Sequence, residues 1–157
     1  MVAGSTNLTL SFDGETQRNG VYYRYMAATS GSGVEVSALN ANAPDTFCPL
    51  GWQMPYGGTG GDYYNKSRSW IYLFNTYGYT GDLDSAEKVK SYPVSYVMGG
   101  YYNWGSTGRV FSLDAYGPYW TMTVNSANNA WRYDIAPTAI HGFNGQAGTK
   151  SDGFTVR

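Results

Sequence analysis

Hydrophobic and polar positions along this chain follow two periods, and each predicts an element. Leu8, Leu10 and Phe12 alternate with Thr9 and Ser11, the pattern of a half-buried strand that Asp13-Gly14 ends. After Asn19-Gly20 the run Val21-Tyr22-Tyr23-Arg24-Tyr25-Met26 is long and aromatic, which predicts a central strand of an antiparallel sheet. Residues 29–44 are rich in Gly, Ser and Asn around a small apolar island at Val34 and Val36, and read as loop with one short strand at most. In Cys48-Pro49-Leu50-Gly51-Trp52-Gln53-Met54-Pro55, two prolines and a glycine fix the backbone around a large indole, so Trp52 is expected in the core.

The period then changes. Trp70, Leu73, Phe74 and Tyr77 recur at i, i+3, i+4 and i+7, which predicts a helix from about Ser67 to Tyr77 that Gly78 stops. A shorter helix is predicted from Asp84, with Glu87 placed to complete a capping box and Pro93 beyond its end. In the last third, Ala130-Trp131-Arg132-Tyr133-Asp134-Ile135 alternates as a strand, with Trp131, Tyr133 and Ile135 expected inward and Arg132 and Asp134 toward solvent. Pro137, Gly142, Gly145 and Gly148 shape what reads as a long loop, and Phe154 and Val156 close the chain as a strand. Two helices followed by a half of strands and loops make an α+β domain, with twisted antiparallel sheets and long C-terminal loops. It is expected to be one domain over 1–157, with 1–6 as a flexible lead-in.

Composition narrows the function. Charged residues are 13% and aromatics 17%, including 16 Tyr, and loop-borne Tyr, Trp, Asn and Ser favour a binding surface. A net charge of −1 offers no basic field, so nucleic acid is not the expected partner. With one Cys and one His, neither an internal disulfide nor a zinc site is expected, and no metal or cofactor is assigned. No apolar run is long enough to span a bilayer, and the opening MVAGSTNLTL lacks the regions of a signal peptide. Display on a cell or virus surface would therefore come through a partner or another segment. The glycine-rich 56–62 stretch has no terminal Lys-Ser/Thr pair, so it is not a phosphate cradle. No nucleophile elbow surrounds any serine, and the chain is not expected to be an enzyme. One catalytic alternative stays open, a carboxylate pair of Asp114 and Asp134 for glycosidic cleavage.

Four motifs occur in order: Tyr22-Tyr23-Arg24-Tyr25-Met26-Ala27-Ala28-Thr29, then Cys48 to Pro55, then Gly117-Pro118-Tyr119-Trp120 with Thr123, then Gly153-Phe154-Thr155-Val156-Arg157. This series resembles the Fibrobacter succinogenes major paralogous domain, over about residues 20–157. That family is C-type-lectin-like and related in fold to formylglycine-generating enzymes. It often has Leu where Met54 stands and a cysteine after the final Arg. The paired cysteines of the oxidase relatives are missing here, as are the EPN or QPD and WND motifs of calcium-dependent lectins.

Within the family the chain resembles the variable proteins of diversity-generating retroelements, in which adenine-directed mutation replaces side chains on a fixed framework. The resemblance implies a C-type-lectin-like fold, a hypervariable region over about 120–152, and ligand contacts from Asn125, Asn128, Asn129, Arg132, Asp134, Thr138, His141, Phe143 and Asn144. The implied partner is a protein or cell-surface ligand. For Arg132 and Asp134 an ordinary exposed charge pair is the alternative, and His141 and Phe143 also suit a structural role. Two other functions stay open. One is a carbohydrate-binding or adhesin domain of fixed specificity using Tyr101, Tyr102, Trp104 and Tyr116, and the other is a lattice-forming surface protein.

Overall fold

A computed structural model describes residues 21–33, 35–58, 69–76, 90, 96–103 and 109–156, with backbone alone for residues 73, 109 and 141–145. The strand expected at Leu8–Phe12 lies outside these residues, as does the helix expected from Asp84 apart from Lys90. The described elements are strands β1 (Tyr23–Arg24), β2 (Tyr101–Asn103), β3 (Arg109–Phe111), β4 (Gly117–Val124), β5 (Asn129–Ile135), β6 (Ile140–Thr149) and β7 (Gly153–Phe154), with helices α1 (Tyr25–Ala28) and α2 (Trp70–Thr76). The fold is α+β and mostly sheet. Its strands form two antiparallel sheets, ordered β1-β7-β2-β3 and β4-β5-β6.

The first sheet has β1 and β3 at its edges. β1 is an edge strand two residues long, not the long central strand expected from Val21–Met26, because its partner β7 offers only Gly153 and Phe154. The chain then coils into the single turn α1, which carries the Tyr25 ring into the core against Trp120 at 5.2 Å. Ser30 and Gly31 stop that turn with φ of +52° and +89°. α2 begins as the periodicity predicts: the Ser69 hydroxyl caps it, accepting from Tyr72 N at 3.1 Å, and Trp70, Ile71 and Phe74 are buried.

The three-stranded sheet is the body of the molecule, and both of its faces are covered. On one face α2 and Tyr96 pack over Tyr119, Tyr133, Ile135 and Ile140. Tyr133 stacks on Tyr119 at 5.4 Å and on Trp70 at 5.6 Å, and its hydroxyl donates to that of Tyr96 at 3.1 Å. On the other face Tyr25, Ala28, Met54 and Phe154 pack against Trp120, Met122, Val124 and Ala130. Every residue of β4 is buried as a result. The two sheets are tied where Trp120 N donates to Thr155 O and Thr155 N to Pro118 O.

Two expectations are overturned here. Trp52 lies at the surface, 77% exposed, and among the described residues the core tryptophans are Trp70, Trp120 and Trp131. A rigid turn around an indole fixes its direction, and this one points outward. The long loop expected after Ile135 is mostly strand: β6 runs for ten residues beside β5. Gly148 is a strand glycine because a Cβ there would overlap the Phe154 ring.

Candidate functional site

The residues expected to contact a ligand fall into four places. Asn125 and Asn128 lie in the turn between β4 and β5, and Asn129 starts β5. That turn is closed by backbone groups: Asn125 N and Ser126 N both donate to Asn129 O at 3.0 Å, and Lys150 N donates to Asn128 O at 2.9 Å. The Ser126 hydroxyl adds one more bond, accepting from Asn129 N at 3.1 Å. Asn128 is exposed, while Asn125 and Asn129 are half-buried.

Arg132 and Asp134 do not point to solvent as a pair. Asp134 has no exposed side-chain surface and Arg132 only 18%, with Nε 3.3 Å from Oδ1. Alternation on a strand places these two away from Trp131, Tyr133 and Ile135, but the face they share is roofed by the other sheet. The Arg132 guanidinium lies 4.8 Å above the Phe154 ring. Burial first, and then the nearby Asp134 carboxylate, raises the Tyr116 hydroxyl above its ordinary pKa. Asp134 is thereby out of reach of a sugar, whereas Asp114 is exposed. The two carboxylates thus do not share an exposed surface.

Thr138 is exposed in the turn between β5 and β6, at the far end from the Asn residues. The seven residues of β5 separate the two turns by about 23 Å. His141, Phe143 and Asn144 are in β6. His141 is opposite Asp134 in the register, and the ladder then slips: Arg132 pairs with Gln146, so residues 142–145 of β6 stand against Tyr133 alone. Phe143 and Asn144 therefore lie in a bulged stretch of an edge strand, where extra residues leave the ladder.

Beside the Asn turn the fold brings residues that periodicity did not single out. Loop 39–43 runs along the end of β4, with Asn40 N donating to Val124 O, Val124 N to Ala41 O, and Ala43 N to Met122 O. Asn42 is exposed and its Oδ1 accepts from the Thr123 hydroxyl at 2.6 Å. Asn40 Oδ1 accepts from the Trp131 indole at 2.9 Å, and Leu39 is exposed. The available signal was compositional, the Leu39-Asn40-Ala41-Asn42 run itself. Lys150 adds no free charge here, since its ammonium donates to Gly33 O and Val36 O at 3.0 and 2.8 Å. Burial lowers its pKa.

Of the aromatic residues of the carbohydrate alternative, Tyr101 is packed among other rings. Tyr101 stacks on Phe111 at 5.8 Å and meets Phe154 edge-on, and Tyr101, Tyr102 and Tyr116 are all half-buried. Trp104 lies outside the described residues. Among the described residues no three His, Cys, Asp or Glu side chains gather as metal ligands, and no helix is long and apolar enough to cross a membrane. Comparison with family models, with curated proteins and with solved structures returns no match.

Proposed function

We propose that this chain is a non-catalytic binding module of C-type-lectin-like fold, a variable protein whose C-terminal side chains are diversified by a retroelement. One observation carries the reading: the Asn125–Asn129 turn is closed largely by backbone hydrogen bonds and hangs from a sheet packed on both faces. Side chains there are replaceable while the framework holds. The four ordered motifs support the family, and the bulge at 142–145 supports Phe143 and Asn144 as further display positions. Arg132 and Asp134 serve as framework in this reading, and the contact surface is the Asn turn with Asn42 and Leu39. Asn amides adapt as donors or acceptors, which suits a surface that must accept different partners.

The test needs no known ligand. A surface-displayed library randomised at Asn125, Asn128, Asn129 and Thr138 is expected to remain protease-resistant in most clones, while a library at Trp120, Tyr133 and Asp134 loses resistance. Equal loss in both would overturn the reading. The neighbouring DNA gives a second check: a near-copy repeat differing at adenines of these codons is the expected finding.

A further inference from the structure

Asn42 carries an exposed amide that is held in one orientation. Gly57 N donates to the Thr123 hydroxyl at 3.0 Å, and that hydroxyl donates to Asn42 Oδ1 at 2.6 Å. The direction of this relay decides which end of the amide faces Thr123. A separation of 2.6 Å is usual for O–H···O and shorter than N–H···O bonds run, so the inner atom is the carbonyl oxygen. The amide nitrogen then lies on the other side of an exposed residue. No hydrogen bond within the described residues uses its two N–H groups.

The backbone beneath it is fixed as well. On either side of Asn42, Val124 N donates to Ala41 O at 2.7 Å and Ala43 N to Met122 O at 2.8 Å. Asn40 takes φ +62° with its side chain on the Trp131 indole, and the Lys150 ammonium holds Val36 O at the start of the loop. A donor placed this firmly loses little freedom on meeting an acceptor, and it opposes any partner that brings a second donor to the same place.

Charge narrows the acceptor. Residues 36–44 and 121–131, which carry Asn42 and the Asn turn, contain no Asp, Glu, Lys or Arg. The nearby Lys150 ammonium is engaged by Gly33 O and Val36 O. A carboxylate or phosphate brought here would be stripped of water with no cation from these segments to offset the cost. A neutral carbonyl is satisfied by a single N–H. Nor do the two segments offer a ring for a sugar to stack on, because Trp131 is buried and the exposed apolar side chain is Leu39.

We propose that Asn42 is a fixed specificity determinant of the contact surface, donating through its amide N–H groups to a neutral carbonyl oxygen of a polypeptide partner. Leu39 supplies the apolar contact of the same loop. The inference rests on the reading of this chain as a binding module. It adds that the Asn turn adapts from partner to partner while Asn42 makes the same demand of each.

The test pans a surface-displayed library of the full chain, randomised at Asn125, Asn128 and Asn129 with Leu39 and Asn42 kept. The probes are lysozyme, as an unglycosylated polypeptide, and dextran, as a neutral glycan. In lysozyme-binding clones Asn42→Asp keeps the acceptor for Thr123 and removes the donor. The expected result is an unchanged melting temperature with binding weaker by at least about tenfold in most clones, at low salt and at about 0.5 M salt alike. Asn42→Ala brings no charge and is expected to weaken binding by a similar factor. A library that yields no clone on either probe would sink the binding-module reading and this inference together. Wild-type affinity in the Asn42→Asp and Asn42→Ala clones would overturn the inference alone. So would enrichment on dextran only, a loss confined to Asn42→Asp that salt removes, or a fall in melting temperature that accounts for the lost binding.

Discussion

Asp134 sits on the central strand of the three-stranded sheet with no side-chain surface in solvent. A carboxylate is tolerable there because Arg132 and Tyr116 meet it. Breaking such a pair leaves the other charge buried, so Asp134→Ala is expected to lower stability by about 3–5 kcal/mol in urea denaturation. A loss near that of an exposed pair, below about 1 kcal/mol, would contradict the buried assignment. Tyr22 gives a pH signature. Burial, then Asp114 and Tyr119, raise its pKa to about 12, and its hydroxyl donates to Gly99 O. An unfolded tyrosine ionises near 10. Stability from this group is therefore complete below about pH 10 and is lost as pH rises toward 12. Tyr22→Phe is expected to flatten the pH profile of the denaturation midpoint in that window.

At the scale of elements, helix α2 and strand β5 were legible, and their neighbours were not. Trp70 and Phe74 share a face at helical spacing, and Trp131, Tyr133 and Ile135 alternate, so each period announced its own buried side. Period cannot say whether the opposite face is also covered, so alternation alone leaves Asp134 on an open face. Nor does it separate a turn glycine from one excluded by a neighbour, which hid β6 behind Gly142, Gly145 and Gly148. Gly148 is the direct check. A Cβ at this position collides with the Phe154 ring and crowds Arg132 Cδ at 3.2 Å. Gly148→Ala is expected to cost about 1–3 kcal/mol, as overpacking of a filled core does. A neutral outcome would mean that β6 behaves as the loop its glycines suggest. The short β1 failed for another reason: aromatic, β-favouring residues make a strand only where a partner exists, and two residues of β7 are all that is offered.

Across the whole molecule the candidate contacts are distributed along the hairpins rather than gathered. The Asn turn and Thr138 mark opposite ends, Phe143 and Asn144 lie between them on the edge strand, and Arg132 and Asp134 support them from inside. A sequence lists such residues in one run, but only the sheet decides which end each one occupies. The same sheets set the order of assembly. β1 and β7 pair Tyr23 with Phe154, so nearly the entire described chain must be looped before this contact forms. Closing so long a loop is unfavourable until other contacts exist, which makes this seam a late event in refolding. Stopped-flow measurements on Phe154→Leu should accordingly show faster unfolding and a refolding rate close to wild type.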